Sequence, residues 1–364
     1  MKRLDDRIGL NFLVGLSPSL GLTEADRDLL RALRPAGIIL FRSNFDHEAD
    51  YGTWLGRLDE LLSATREAIG RDHIFVGIDH EGGRVCRVPA PLTRYSYPTR
   101  WASTAGAVGR AMGRELASIG VNMNFAPLLD IASNPENPVI GERAFGNDVD
   151  QVTQAAIAFM DGQREAGVVA VGKHFPGHGD TAVDSHHGLP VQSTDPAELR
   201  RREIAPFRAT IAAGLDCVMT SHIVFSQIDA TMPATLSHPI VTGILREELN
   251  FDGVVMTDDI NMHAMDNYFS DPTAAVACLK AGTDMLMVCA HWNTNRRALD
   301  FADAIAGAAQ TGAIARADLE RSQARVERAL AASSQHSVAP LDRAILRANR
   351  QAGALFEGAT VEVI

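Results

Sequence analysis

The sequence predicts an α/β fold, a single-domain (β/α)8 TIM-type barrel with a C-terminal extension. Eight short apolar runs alternate with longer segments of helical period, which is the pattern of repeated βα units around a parallel sheet. These runs are nearly continuous in apolar residues, as strands buried on both faces are. Ionisable or polar residues follow directly after most of them, as at the mouth of a barrel. The predicted strands are Ile8–Leu16, Gly37–Phe41, Ile74–Asp79, Val121–Leu129, Val168–His174, Leu215–Ser221, Gly253–Asp258 and Asp284–Cys289.

The segments between these strands carry recognisable helix ends. Thr23 followed by Asp26 has the pattern of a capping box, and Asp195 precedes a proline at the first helical position. Glycines stand where each of three helices should stop before a strand, as in a glycine C-cap. These glycines are Gly167, Gly214 and Gly282.

One domain is expected over residues 1–333, because no composition shift or flexible linker divides them. Residues 334–364 form an extension that packs on the barrel or leaves it. Its helical stretch, Leu341–Gln351, is assigned no chemistry.

Charge and composition exclude several classes of partner. The chain of 364 residues has 34 Lys and Arg against 45 Asp and Glu, a formal net charge of −11, so it lacks the basic surface of a protein that binds nucleic acid or an anionic membrane. No run approaches the roughly 18 apolar residues of a membrane-spanning helix. Asp5 and Asp6 interrupt a signal-like start, and the four cysteines form no C-x-x-C pair. We expect a cytoplasmic monomer that takes a small ligand.

The long loop between Gly172 and Pro190 is the most informative stretch. It leaves a predicted strand with Lys173 and His174 and is rich in glycine and histidine, as functional loops often are. Within it, Asp184 stands two residues before His186. The carboxylate can fix the tautomer of the imidazole and leave its other nitrogen free for proton transfer, or the pair can simply close a turn.

The same loop contains enough histidine and aspartate to suggest a metal centre. Its spacing matches no compact zinc motif, and Lys173 beside His174 would repel a cation. We therefore expect no metal and no cofactor. The residues weighed as ligands are His174, His178, Asp180, Asp184, His186 and His187.

Asp258 and Asp259 end the seventh predicted strand. Neighbouring strand residues point in opposite directions, so one carboxylate can face the barrel mouth as a nucleophile while the other bonds to adjacent loops. The alternative is that both cap the following helix.

Two further loops at the same barrel end offer groups for a polar ligand. Asp79 is followed by a glycine pair and Arg87, and Arg143 lies in the loop after the fourth strand. A carboxylate can bind two adjacent hydroxyls, and arginine can reach a polar oxygen. Taken singly, each arginine is more often part of a surface salt bridge.

Four motifs together resemble glycoside hydrolase family 3 β-N-acetylglucosaminidases, in particular the short cytoplasmic enzymes of Gram-negative peptidoglycan recycling. The resemblance covers about residues 8–330, with the motifs in order along the chain. They are DHEGGR at 79–84, KHFPGHGD at 173–180, DSH at 184–186 and TDD at 257–259.

The resemblance implies retaining hydrolysis of a terminal, non-reducing β-linked N-acetylglucosamine. The implied substrate is N-acetylglucosamine β-1,4-linked to 1,6-anhydro-N-acetylmuramic acid, with or without its peptide. Asp258 matches the nucleophile and His186 the acid/base, supported by Asp184. The positions that match sugar contacts are Asp79, Arg87, Arg143, Lys173 and His174.

Two other functions remain open at the level of sequence. A histidine acid/base carries no permanent negative charge that would repel phosphate, so phosphorolysis on the same scaffold is one alternative. A sugar-binding or sensing barrel without turnover is the other, although the intact catalytic motifs count against it.

Overall fold

A computed structural model describes residues 7–181, 188–290 and 293–355. Within these ranges eight parallel strands close into a barrel, in the spatial order β1-β10-β9-β7-β5-β4-β3-β2, and a parallel pair, β6 with β8, lies beside it. The predicted (β/α)8 fold is confirmed. The strands are β1 Phe12–Gly15, β2 Gly37–Leu40, β3 Phe75–Ile78, β4 Met123–Asn124, β5 Val169–Phe175, β6 Val191–Gln192, β7 Cys217–Thr220, β8 Val224–Phe225, β9 Val254–Asp259 and β10 Met285–Val288.

Helices surround this barrel, and their predicted ends are confirmed where sequence signals marked them. The Thr23 hydroxyl accepts the Asp26 N–H, Asp195 caps the helix that follows it, and each of the three predicted stop glycines has a positive φ angle. The helices are α1 Glu24–Leu33, α2 Tyr51–Ile69, α3 Pro98–Trp101, α4 Ala105–Ser118, α5 Val149–Glu165, α6 Pro196–Arg201, α7 Ala205–Ala212, α8 Ala274–Ala281, α9 Arg297–Thr311, α10 Arg316–Ala332 and α11 Arg343–Arg350, with a π-helix over Pro239–Glu248. None of the helices within the described ranges is long and apolar enough to cross a membrane.

The predicted bounds of two strands are wrong. Ile8–Asn11 forms a 3-10 turn before β1. The predicted strand Val121–Leu129 forms regular strand only over β4. Pro127 has no N–H to donate to a neighbouring strand, and the side chains of two buried asparagines replace some of the backbone hydrogen bonds. Asn122 accepts the Val76 N–H at 2.7 Å, and Asn124 binds the backbone of the residue after Asp79.

The barrel interior is filled by alternate residues of the strands. Leu13, Val171 and Met256 belong to one buried cluster inside the barrel, whereas their neighbours along the strands pack outward against the helices. Two residues of α10, Val326 and Leu330, complete the interior cluster. The barrel is therefore a packed core rather than a pore.

The chain after α10 returns along α4. The Ala339 N–H donates to the Ser118 carbonyl at 2.8 Å, and Leu346 is buried. Asn349 donates to the buried carboxylate of Glu115 at 3.0 Å and accepts at its carbonyl from the Tyr95 hydroxyl at 2.9 Å. Residues 334–355 thus cover one side of the barrel.

Helices α4 and α5 approach each other through glycines. A Cβ added to Gly162 of α5 would lie 2.5 Å from the Arg110 nitrogen and the Gly106 oxygen, both in the α4 backbone. A Cβ on Gly109 of α4 would lie 2.4 Å from the Phe159 oxygen of α5. The two helix backbones are so close that neither Gly109 nor Gly162 could carry a side chain without moving the helices apart.

Gly162→Ala should lower the free energy of unfolding by about 1–3 kcal/mol, because the methyl group can be accommodated only by moving the two helices apart. Gly56→Ala is the matched control, since Gly56 is exposed within α2 and a Cβ there has nothing within 4 Å. That change should stabilise by about 0.5–1 kcal/mol through helix propensity. Urea unfolding of both variants measures the difference, and equal effects would contradict the packing argument.

Candidate active site

Three ionisable residues at the barrel mouth continue the inner rows of their strands. Asp79 lies two residues beyond the inward Gly77 of β3, Lys173 two beyond Val171 of β5, and Asp258 two beyond Met256 of β9. Because side chains alternate along a strand, all three point toward the barrel axis at its carboxyl end. These ionisable groups therefore lie at the barrel end where the fold predicts a functional site.

These side chains line a cavity with about 470 Å³ of empty space, part of which is open to solvent. The cavity contains the proposed nucleophile and all five residues matched to sugar contacts, whereas Asp184 and His186 lie outside the described residues. The lining residues are Asp79, Glu81, Val85, Arg87, Val139, Arg143, Lys173, His174, His178 and Asp258.

Glu81, which the sequence analysis did not select, connects most of the cavity's charges. Its carboxylate accepts two hydrogen bonds from Arg143, at 2.8 and 2.9 Å, and lies 2.7 Å from the Lys173 ammonium. The same ammonium donates to Asp79 at 2.7 Å. The sequence does contain a signal that could have identified Glu81 as a site residue, because Glu81 follows Asp79 by two residues in the same motif. We call these four residues the Glu81 network.

The members of this network keep one another charged. Burial raises the pKa of Glu81, but Arg143 and Lys173 outweigh it and hold that pKa well below its usual range. Burial lowers the pKa of Lys173, and Asp79 and Glu81 more than reverse that, so it stays above its ordinary value. Glu81 is therefore fixed as an acceptor and Lys173 as a donor at neutral pH.

Asp258 and Asp259 point in opposite directions, as the strand alternation predicts. Asp258 is partly exposed and lines the cavity, whereas Asp259 accepts the Asn261 and Cys289 N–H groups, each at 3.1 Å, behind β9. Burial raises the pKa of Asp259 to about 7. Burial also raises the pKa of Asp258, but its electrostatic interactions with His174, His222 and Lys173 hold it below its ordinary value. Asp258 is therefore ionised at neutral pH.

Arg87 lies in the cavity wall and has guanidinium N–H groups available for a ligand. Its side chain is buried, at 5% exposure, and its Nε and Nη1 atoms have no acceptor among the described residues. A buried, unpaired guanidinium N–H is costly, so an acceptor supplied by a bound molecule would complete this part of the site.

His174 reaches the cavity with a carboxylate behind it. Its Nδ1 lies 2.7 Å from Asp130, which is fully buried and also accepts the His178 N–H at 2.7 Å. Burial and the neighbouring His174 lower the pKa of His178 to about 4, so the ring of His178 is neutral. Asp130 directly follows the predicted strand Val121–Leu129, and spacing alone gives no sign of its partner 44 residues away.

The start of the loop after β5 is held against the loop after β4. Asn137 donates to the His178 and Gly179 carbonyls at 2.9 and 3.1 Å. A Cβ on Gly179 would lie 1.6 Å from the Ile131 oxygen, so this glycine permits close packing of the two loops. The loop is thus fixed as far as Thr181, which the Asn137 amide also contacts.

Within the three described ranges, no His, Cys, Asp or Glu side chains form a group of three that could hold a metal ion. Of the residues weighed as ligands, His174 and His178 contact Asp130 and each other, and Asp180 pairs with Arg202 at 2.7 Å. Asp184, His186 and His187 lie outside the described residues.

Comparison with known proteins identifies the family of the chain. Residues 14–329 match the glycosyl hydrolase family 3 N terminal domain. The chain is 39% identical to a beta-hexosaminidase of Thioalkalivibrio sulfidiphilus over 293 residues, which cover 78% of this chain and 81% of that protein. It is 37% identical to the beta-hexosaminidase of Methylococcus capsulatus, over 86% of this chain and 93% of that protein. The chain therefore belongs to glycoside hydrolase family 3 and is a β-N-acetylhexosaminidase of that family.

Solved structures show the same architecture. A family 3 β-N-acetylglucosaminidase from Paenibacillus superposes with a TM-score of 0.83 at 32% identity, covering 97% of this chain and 68% of that one. NagZ from Neisseria gonorrhoeae, solved with N-trifluoroacetyl-D-glucosamine, superposes with a TM-score of 0.75 at 28% identity, over 94% of this chain and 96% of that one.

Glu81→Gln should lower the free energy of unfolding at pH 7 by about 3–5 kcal/mol, because it leaves buried Arg143 and Lys173 short of one negative charge. The loss should shrink as the pH falls below 4.5, the ordinary pKa of glutamate, since the folded carboxylate gives up its contribution between that value and its own lower pKa. Urea unfolding across this pH range measures both effects.

Glu165→Gln is the matched control for that experiment. Glu165 pairs with Arg110 on the protein surface, where both side chains are about half exposed. Its loss should hardly move the urea midpoint, because exposed ion pairs contribute little. A Glu81 variant as stable as this control would contradict the role given to the Glu81 network.

Proposed function

We propose that the protein is a retaining exo-β-N-acetylglucosaminidase that removes the terminal sugar from small peptidoglycan fragments. The substrate is N-acetylglucosamine linked to 1,6-anhydro-N-acetylmuramic acid, with or without its peptide. The observation that carries this proposal is the ionised Asp258 carboxylate, which faces a small cavity lined by donors and acceptors suited to sugar hydroxyls.

In the first step an Asp258 oxygen attacks C1 of the sugar. The bond from C1 to the bridging oxygen breaks, and His186 gives that oxygen a proton, so a covalent glycosyl-aspartate and a free hydroxyl result. In the second step water attacks C1, His186 takes its proton, and the Asp258 carboxylate is released. Two inversions at C1 give retention.

The described carboxylates support a histidine as the acid/base. Retaining glycosidases usually employ a second carboxyl group as proton donor. Here Glu81 is held ionised by Arg143 and Lys173, and Asp79 is paired with the same lysine. Glu81 is therefore not suited to donate a proton at neutral pH, and the Asp79 carboxylate is already engaged by Lys173. This favours His186, oriented by Asp184, as the donor.

The charges around the cavity favour an uncharged sugar unit inside it, such as the terminal N-acetylglucosamine. The cations Arg87, Arg143 and Lys173 are matched in number by the carboxylates of Asp79, Glu81 and Asp258. Arg87 and Lys173 can donate to hydroxyl oxygens, and Asp79 can accept from hydroxyl groups. Product analysis in phosphate buffer separates hydrolysis from phosphorolysis, because phosphorolysis would yield the sugar 1-phosphate.

We also propose that the enzyme acts in the cytoplasm as a monomer. All four cysteines are buried and unpaired in the structure. Free thiols are usual in reducing compartments, which supports this location.

Asp258→Ala should lower kcat for a chromogenic N-acetylglucosaminide by several orders of magnitude, because no nucleophile remains to form the intermediate. His186→Ala should lower it by about 10²–10⁴, the usual contribution of a general acid/base, and Asp184→Ala by less. Asp266→Ala, which removes an exposed aspartate paired with His263, is the control and should turn over normally. Near-normal turnover by Asp258→Ala would defeat the nucleophile assignment.

The same experiment gains a positive readout from a 2-deoxy-2-fluoro or 5-fluoro glycoside, which accumulates the covalent intermediate. Mass spectrometry of the digested enzyme should place the label on the peptide containing Asp258. A label on the peptide containing Asp79 and Glu81 would reassign the nucleophile.

Lys173→Met should move the acid limb of the pH profile of kcat/KM to higher pH. Lys173 is one of the positive charges that hold the pKa of Asp258 down, so without it the nucleophile takes up a proton at a higher pH. Lys280→Met is the control, since Lys280 is exposed on α8. An acid limb that stays in place in Lys173→Met would show that Lys173 does not act on the nucleophile.

A further inference from the structure

Asp130 is a buried carboxylate to which the proposed reaction gives no role. It lies in the loop after β4 with no exposed surface, and its oxygens accept N–H groups of the chain that leaves β5. One oxygen accepts the His178 N–H at 2.7 Å, the other lies 2.7 Å from Nδ1 of His174, and the His174 N–H reaches both at 3.2 and 3.3 Å. The carboxylate is thereby fixed in position and orientation.

We propose that Asp130 is a positioning residue, which holds the imidazole of His174 with Nδ1 as the hydrogen-bond donor and Nε2 turned toward the sugar. The inference rests on the proposed function and deepens it by assigning the nitrogen that meets the substrate. Both Asp130 oxygens already accept backbone N–H groups, so the carboxylate acts as the acceptor toward the ring, and Nδ1 carries the proton of that hydrogen bond whether the ring is neutral or charged. His174 lines the cavity, and the ring nitrogen left for a ligand is Nε2.

The surroundings of His174 leave Asp130 as its main anchor. The neighbouring ring of His178 crosses it edge to face, with ring centroids 5.6 Å apart, and that ring is itself bonded through Nδ1 to the Thr181 hydroxyl. Asp258 faces His174 across the cavity from β9. Arg143 and Glu203 are further charged groups near Asp130. Among the described residues, however, Asp130 forms its hydrogen bonds with His174 and His178.

Asp130→Asn tests this assignment because the amide has one oxygen where the carboxylate has two. With its oxygen on the His178 N–H, the new amide presents an NH2 group to Nδ1 of His174, which must then accept, and the proton moves to Nε2. We expect kcat/KM to fall roughly 10–100-fold, the loss typical when the carboxylate behind a metal-binding histidine is removed. Asp284→Asn is the matched control, a buried aspartate paired with Arg246 at the opposite end of the barrel, and should retain normal kcat/KM.

A double-mutant cycle separates positioning from a general structural effect. In the background of His174→Ala, Asp130→Asn should cost little further kcat/KM, because there is no ring left to orient. An equal cost in both backgrounds would overturn the proposal, as would a folded Asp130→Asn enzyme with the kcat/KM of the wild type.

Nitrogen-15 NMR of the unliganded wild-type enzyme gives a test that needs neither turnover nor a folded Asp130 variant. With His174→Ala used to assign the resonances, Nδ1 of His174 should carry a proton at pH 7. An unprotonated Nδ1 would overturn the proposal. If the wild type fails to cleave N-acetylglucosaminides, the proposed function fails while this measurement still decides the role of Asp130.

Discussion

The site depends on the pairing of the Glu81 carboxylate with two buried cations. Arg143 and Lys173 come from different parts of the barrel, the loop after β4 and the strand β5, and without a shared anion their charges would repel each other in a dry environment. Glu81 brings both to one point and leaves Lys173 a further contact with Asp79. Because the network neutralises its own charges, the barrel can bury them directly beneath a ligand cavity.

The same pairing divides the carboxylates of the cavity by role. Glu81 is held in the ionised state by contact with its cations, whereas Asp258 is kept ionised by charges that lie near it without neutralising it in a tight pair. Asp259, one residue further, is turned behind the strand and has a raised pKa because it is buried without a cation. The surroundings alone thus lower the pKa of two of these carboxyl groups and raise that of the third.

Local patterns in the sequence were sufficient for the fold and for most of the cavity. Apolar runs and the glycines that end helices predict the eight strands, because burial and backbone conformation depend mainly on the local sequence. The alternation of side chains along a strand predicts the opposite orientations of Asp258 and Asp259. The bounds of β4 were missed because Asn122 and Asn124 replace backbone pairing with side-chain bonds, which periodicity does not register. Glu81 and Asp130 were missed because their partners are distant in sequence. Whether a carboxylate anchors a neighbour or meets a ligand depends on three-dimensional contacts.

The matched charges of the cavity also bear on how a ligand arrives. Three cations and three carboxylates within one small space produce strong local fields but little attraction at long range, and the chain as a whole is negatively charged. The terminal N-acetylglucosamine is itself uncharged and is therefore captured by short-range hydrogen bonds within the cavity, without electrostatic steering. Association of an uncharged N-acetylglucosaminide is consequently insensitive to ionic strength, because such a ligand carries no net charge on which the field of the protein can act.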